Sequence, residues 1–219
     1  MIQSLLTADG SFTLLMTDLN ETYHSPHGAV SSARCVFVDE GLAYLQNRTK
    51  GSLNVLEIGF GTGLNALLTY EFATHQKRNV NYVALEINPV PFSLVNSLNF
   101  QQFISDTDAL VRIHDIPVNY SGEIGDYFIL EKRVVDVRDF NADEKFDLIY
   151  FDVFSPRSHP ELYQCDVLQK ISTWLNKEGV LITPFAQASV KTALQDAGFI
   201  VDEIVSTANS TSLLRCSLK

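Results

Sequence analysis

The sequence predicts an α/β fold on a mostly parallel sheet, and three observations carry that expectation. From about residue 53 onward, apolar runs alternate between strand-like and helix-like periods. The run Val55-Leu56-Glu57-Ile58 leads into Gly59-Phe60-Gly61-Thr62-Gly63 and then Leu64-Asn65, a strand-to-helix turn whose glycines let a ligand lie against bare backbone. At the C-terminus the alternation breaks, because 199–205 and 212–218 read as two strands joined by the polar turn Ser206 to Thr211, which makes an antiparallel hairpin.

Taken in order, residues 11 to 19 and 35 to 38 read as short strands around Tyr23-His24-Ser25-Pro26-His27-Gly28. Residues 1–50 are therefore expected to form a small N-terminal β extension, a flap, and residues 51–219 the main domain. Strands follow at 53–58, 81–86, 133–137, 146–152 and 178–184, with helices at 64–75, 89–101, 160–175 and 186–197. A further hairpin is expected between 127–130 and 133–137, turning at Glu131-Lys132.

A length of 219 residues with 46% hydrophobic content suits one domain with a substantial core. Cys35, Cys165 and Cys216 are scattered and lack Cys-x-x-Cys spacing, so neither a disulfide framework nor a metal site is expected, and thiols point to a reducing compartment. No basic leader and no run of about eighteen apolar residues occurs, so a cytoplasmic protein without membrane partners is expected. The net charge of -10, with a pI near 4.8, argues against broad attraction to nucleic acid but leaves room for a local basic patch.

The glycine turn decides the ligand. A dinucleotide-binding turn wants its third glycine at the sixth motif position, which here is Leu64, while Gly63 comes one place early. S-adenosylmethionine is therefore favoured over NAD, with Glu57, Gly59, Gly61, Gly63 and Asn65 as its first group of candidate ligands. In an open parallel sheet the ligand sits beyond the carboxyl ends of the strands, so the residues that follow each strand come next. Glu86 ends the second strand about two dozen residues after the glycines, where a carboxylate can accept both vicinal hydroxyls of a ribose. Asp136, after the third strand, is placed to accept from the adenine amine, with Asp139 and Asp143 as rivals.

Methyl transfer is an in-line displacement, so the protein has to align a neutral nucleophile and manage one proton. The candidate for this is the end of the fourth strand, where Phe151-Asp152-Val153-Phe154-Ser155-Pro156 follows a buried run. Asp152 would hold an amine and face the cofactor, and Phe154 would wall the substrate. The plainer reading is an aspartate that closes a turn before Pro156. Asp147 lies near the start of that strand, at the wrong end of the sheet.

Parallel strands ending in a hairpin resemble the class I S-adenosylmethionine-dependent methyltransferase fold, Rossmann-like with a seven-stranded sheet. Four blocks resemble a narrower family, the methyltransferase half of the bifunctional enzyme that makes 5-methylaminomethyl-2-thiouridine at the wobble position of transfer RNA. They are Asn20-Glu21-Thr22-Tyr23-His24-Ser25 leading to Ala33-Arg34-Cys35-Val36-Phe37, then Glu57 to Asn65, then Phe146 through Asp152-Val153-Phe154-Ser155-Pro156-Arg157-Ser158-His159-Pro160-Glu161-Leu162-Tyr163, then Gly179 to Phe185 followed by Val190 to Phe199. The resemblance implies that Asp152 is the acid near the aminomethyl group, that Glu86 and Asp136 grip the cofactor, and that Tyr23 belongs to a flap over the site. It also implies transfer RNA as partner and a functional link to the enzymes that make the aminomethyl precursor. The family commonly has glycine at Val153 and alanine at Ser155, and a β-branched residue beside Asp152 would narrow the substrate slot. The chain ends soon after the hairpin, so a methylating enzyme without the flavin-dependent oxidase half is expected.

A positive rim for phosphates is expected from Arg157, His159, Lys170, Lys177, His24, His27 and Arg34, with Tyr23 or Tyr163 stacking on a base. Scattered cations are equally read as solvated surface. Two rivals remain: an aminopropyl- or methyltransferase acting on a small amine, and a non-catalytic module that binds S-adenosylmethionine.

Overall fold

The computed structural model describes residues 1–205 and 212–219. Two sheets are present among them, one of three strands and one of eight. The small sheet is an antiparallel meander of β1 (Ile2–Leu6), β2 (Phe12–Met16) and β3 (Glu21–Thr22). After it, α1 (Ala29–Ala33) continues through π-helical turns at Arg34–Ala43 into α2 (Tyr44–Gln46). The strand expected at 35 to 38 is therefore helical. Cys35, Val36, Phe37 and Val38 are all buried, so packing on every side overrides the strand preference of a β-branched, aromatic run.

The large sheet runs, edge to edge, Phe199–Val205, Ser212–Leu218, Leu175–Thr183, Phe146–Phe151, Leu53–Ile58, Val80–Glu86, Phe128–Val134 and Tyr120–Glu123. Its parallel centre is β4 (Leu53–Ile58), β5 (Val80–Glu86), β7 (Phe128–Val134), β8 (Phe146–Phe151) and β9 (Leu175–Thr183). The hairpin of β10 (Phe199–Val205) and β11 (Ser212–Leu218) adds to β9 antiparallel, as expected, while its turn at Ser206 to Thr211 lies outside the described residues. An eighth strand, β6 (Tyr120–Glu123), extends the opposite edge by pairing antiparallel with β7. The sheet thus has eight strands where seven were expected.

The eighth strand also corrects the expected hairpin at 127–137. Glu131 and Lys132 do not turn but lie inside β7, with Glu131 paired to Arg133 at 2.6 Å. The Lys132 ammonium is buried and donates to the His114 carbonyl at 2.9 Å. A neighbour on the same strand satisfies Glu131, and a carbonyl 18 residues earlier in the chain satisfies Lys132.

Helices cover both faces, as a sheet of this kind requires. On one face α1, α2 and α3 (Leu64–Gln76) pack on Val55, Tyr82 and Tyr150, with α5 (Ala109–Asp115) beside them. On the other, α6 (Cys165–Ser172) and α7 (Ala188–Asp196) cover Leu56, Ile58, Ile149 and Phe151. The helix expected at 89–101 shrinks to α4 (Phe92–Val95) and a single 3-10 turn at Phe100–Phe103. Pro89 and Pro91 at its head withhold donors and bias the preceding residues away from helix. No helix among the described residues is long and apolar enough to cross a membrane.

Strand order reverses at β4, with β5 on one side and β8 on the other. The crevice beyond the carboxyl ends of β4 and β8 is where such a sheet binds ligands.

Candidate active site

At that crevice the first residues past the two strands, Gly59 and Asp152, meet backbone to backbone. A Cβ on Gly59 would lie 2.3 Å from the Asp152 carbonyl oxygen, and its φ of +96° also favours glycine. The next turn is tied to β5: Gly59 and Phe60 donate to the Leu85 carbonyl at 3.0 and 3.1 Å, and Gly61 donates to Glu86 Oε2 at 2.9 Å. Gly61, at φ +52°, lies under the Tyr23 ring, which a Cβ would meet at 3.2 Å. Gly63 caps α3 in the left-handed conformation and faces Phe60 and His114, outside the cleft.

The cleft holds about 1170 Å³, at or above the ~300–1,000 Å³ of a single small-molecule pocket, so it has room for a cofactor and an acceptor together. One half is bounded by Gly59 to Thr62, Asn65, Glu86 and Asp136; the other by Tyr23, Asp152, Phe154, Arg157 and His159. Glu86 accepts from the N–H groups of Gly61 and Asn88 (2.8 Å), which aims the carboxylate while leaving lone pairs for further donors. Asp136 lines the cleft but is clasped by Arg138, whose Nε and Nη2 lie 3.0 and 2.6 Å from its oxygens, and that guanidinium holds the acid below the usual carboxylate range. Arg138 also borders the cleft, so the pair presents a donor as well as an acceptor.

Behind the glycine turn the acids are joined. Asn65, on the first turn of α3, donates through Nδ2 both to Glu57 Oε1 (2.9 Å) and to Asp152 Oδ2 (2.7 Å). Glu57 lies beneath the cleft wall, almost fully buried, and burial pushes its carboxyl well above the usual range, with the Asp152 charge adding to the effect. Burial thus favours the protonated form of Glu57. Tyr82 approaches it, but neither Glu57 Oε2 nor Tyr82 Oη completes a hydrogen bond of good geometry. Burial raises Asp152 to about 6, against the opposing pull of the Asn65 bond. Asp152 still shows area to the cleft, so it is enclosed by protein on most sides and open toward the ligand. Asn65 Oδ1 is buried without a hydrogen-bonding partner beside the glycine turn. A glycine cradle, that orphaned acceptor and the aimed Glu86 fit an adenosyl amino acid carrying a positive charge.

The acceptor half is aromatic. Tyr23 meets Phe154 edge-on at 5.2 Å between centroids, and His159 tilts on Phe154 at 5.9 Å. Tyr163, by contrast, is buried against Phe151, with its hydroxyl donating to the Phe154 carbonyl at 3.1 Å, so it props the wall and is closed to a base. Arg34 lies off the cleft, paired with Glu71 at 2.8 Å on α3. Lys177 lies at the start of β9 beside Asn176, which donates to Asp147 at the far end of the sheet. Lys170 donates to the Arg138 carbonyl at 2.7 Å, and His27 is exposed beside the cleft rather than lining it. Of the expected basic rim, Arg157, His159 and His24 border the cleft.

Two residues carry more than their sequence context signals. His24 shares hydrogen bonds with Thr13 Oγ1 (3.0 Å) and Thr62 Oγ1 (3.1 Å), tying β2 to the glycine turn, and burial lowers it to about 4, so it is neutral. Glu21 reaches across to the turn after Asp152, accepting from the Ser155 N–H at 3.1 Å and from the Ser155 and Ser158 hydroxyls. In the sequence Glu21 stands out only through the Asn20–Ser25 block, and His24 is expected there as a rim cation, whereas it is a neutral tie beneath the flap.

Residues 124–219 match the family described as S-adenosyl-L-methionine-dependent methyltransferase. An uncharacterized protein of Methanocaldococcus jannaschii is 29% identical over 204 residues, spanning 90% of this chain and 54% of that protein. The tRNA 5-methylaminomethyl-2-thiouridine biosynthesis bifunctional protein MnmC of Pseudoalteromonas atlantica is 27% identical over 219 residues, spanning 90% of this chain and 30% of that protein. The chain thus spans about half the length of the first and under a third of the second. In fold it is similar to the crystal structure of MNMC2 from Aquifex aeolicus, with a TM-score of 0.78 at 22% identity over 100% of this chain and 70% of that one.

Proposed function

We propose that this chain, an S-adenosyl-L-methionine-dependent methyltransferase related to MnmC by sequence and fold, methylates the 5-aminomethyl group of the wobble uridine of transfer RNA. The observation that carries the reading is Asp152, enclosed but open to the cleft between the glycine turn and the Tyr23–Phe154–His159 aromatic wall. When bound, the cofactor would supply an electrophilic methyl group on a sulfonium. Glu86 would hold the ribose hydroxyls, Asn65 Oδ1 would take the amino group, and the Asp136–Arg138 pair would face the adenine edge.

An aliphatic amine is mostly protonated at neutral pH, with a reference pKa of about 10.4 for lysine. Asp152 accepts a hydrogen bond from that ammonium and draws its proton, and the desolvated wall favours the neutral amine. The neutral nitrogen would then present its lone pair toward the cofactor half of the cleft, Asp152 having passed the ammonium proton to water at the cleft mouth, and the methylated amine would leave as its ammonium. Glu57 lies on the other side of Asn65, where burial disfavours a second negative charge beside Asp152. Phe154 and Tyr23 offer π surfaces to a splayed uracil, and Arg157 meets an adjoining phosphate.

The test is methyl transfer from labelled cofactor to transfer RNA bearing 5-aminomethyluridine, read by nucleoside mass spectrometry. A new 5-methylaminomethyl nucleoside is expected; label on free polyamine with none on RNA would replace this reading with a small-amine transferase. For the cofactor half, Glu86→Ala is expected to weaken S-adenosylmethionine binding by roughly 10- to 100-fold, the scale of losing hydrogen bonds to a charged acceptor. Calorimetric titration checks this, and a Kd within about twofold of the unaltered chain would remove Glu86 from the ribose.

A further inference from the structure

The turn that bears Asp152 and Phe154 has little structure of its own. Asp152 N–H donates to the Ile58 carbonyl at 3.1 Å, which fixes the first residue, and Tyr163 holds the Phe154 carbonyl. Beyond them, the Ser158 and His159 N–H groups donate to the Ser155 carbonyl within the same turn (2.9 and 3.0 Å), so the turn is compact without being anchored by those bonds. Anchorage past Phe154 comes from an acid more than 130 residues earlier in the chain. Glu21 accepts the Ser155 N–H and both serine hydroxyls.

Glu21 does not act from a rigid element of its own, because β3 is only two residues long. The segment it begins is instead pinned along its length over the crevice: the Tyr23 ring covers Gly61 and meets Phe154, and His24 binds Thr62. Residues 21 to 24 therefore touch the glycine turn on one side and the acceptor turn on the other. We infer that Glu21 is a positioning residue: it fastens the 155–158 turn to this segment and so holds Phe154 and Asp152 in register with the cofactor half of the cleft. Its charge suits the task. Burial works against the carboxylate, but the Ser155 and Ser158 hydroxyls, the Ser155 N–H and the neighbouring His159 outweigh it and hold the acid below its usual range. A carboxylate that accepts several donors at once is the strong form of such a clasp.

For the consequence in turnover, the inference rests on the amine-methylating reading above; the fastening itself does not. Two variants of the full chain, Glu21→Ala and Glu21→Gln, separate the two. Hydrogen exchange of the peptide containing Ser155 and Ser158 should speed up by about tenfold or more in Glu21→Ala, because the Ser155 amide loses its acceptor. Glu21→Gln keeps the shape and one acceptor oxygen, so it should fall between Glu21→Ala and the unaltered chain. With the aminomethylated RNA, kcat should drop about 10- to 100-fold in Glu21→Ala, the scale of a misplaced catalytic group. The cofactor Kd should stay within about threefold, since Glu21 touches no residue of the glycine turn. Unchanged exchange at 155–158 in both variants would overturn the fastening, and unchanged kcat alongside faster exchange would overturn the positioning role. Should the unaltered chain leave that RNA unmethylated, the functional reading fails, while the exchange data still decide whether Glu21 holds the turn. If Glu21→Ala does not fold, Glu21→Gln carries the same comparison.

Discussion

Asn in place of Asp152 is expected to lower turnover by roughly 10²- to 10⁴-fold, the range supplied by a positioned proton acceptor, with the cofactor Kd within a few-fold. The substitution keeps the shape, and an amide oxygen can still accept from Asn65 Nδ2, so the loss reports the charge and not the fold. Ala would remove both. The pH profile gives a second handle. Burial lifts Asp152 to about 6, so below that pH the group is neutral and a poor acceptor for the amine proton. Turnover of the unaltered chain should therefore climb as pH rises through about 6, and the Asp152→Asn variant should lack that limb. Single-turnover rates across pH 5 to 8 check both. An Asp152→Asn enzyme with full rate and the same acid limb would take proton management away from this residue.

Gly59→Ala is expected to have the largest effect on the folded state. The new methyl would lie 2.3 Å from the Asp152 carbonyl oxygen, a backbone atom on the adjoining strand end that cannot rotate away, at a φ of +96°. Left-handed strain alone costs about 1–2 kcal/mol, and prising the ends of β4 and β8 apart adds a packing loss of about 1–3 kcal/mol. Together these predict a fall in Tm of roughly 4–20 °C for a chain of this size, along with loss of cofactor binding, because the same movement displaces Asp152. Gly51→Ala is the control: its φ is +80°, but nothing lies within 4 Å of the added methyl, so only the strain contribution applies. Thermal melts that fall equally in the two variants would mean that the close approach at Gly59 is unimportant.

The parallel centre was legible because its strands are buried on both faces and read as apolar runs, while the glycine turn and the hairpin supply their own local signals. The edges were not. Strand β1 is almost wholly exposed and shows no alternation, so nothing in Ile2–Leu6 betrays it. Next to the edge, β7 holds Glu131 and Lys132 inside a strand: Arg133 pairs with the first, and the buried ammonium of the second donates to the His114 carbonyl, a partner that local pattern does not reveal. Within the site, residues at strand ends were found by the rule that ligands gather there, which is why Glu86 and Asp152 stood out. Glu21 and the Asn65 bridge depend on contacts across distant segments, so their importance appears only once the sheet has brought those segments together. Arg34 was misleading for the converse reason: a cation near the N-terminal block looks like a phosphate contact until Glu71 is seen to face it.

The undivided cleft has a chemical corollary. No wall separates the bay beside Glu86 from the aromatic bay beside Phe154, and both open into one space of about 1170 Å³. On the proposed reading, an adenosine joined through a short tether to an aminomethyl-pyrimidine would occupy both bays as one molecule and surrender its translational and rotational freedom once instead of twice. If that reading holds, such bisubstrate compounds are the natural scaffold for ligands that tell this chain from methyltransferases whose acceptor bay has another shape.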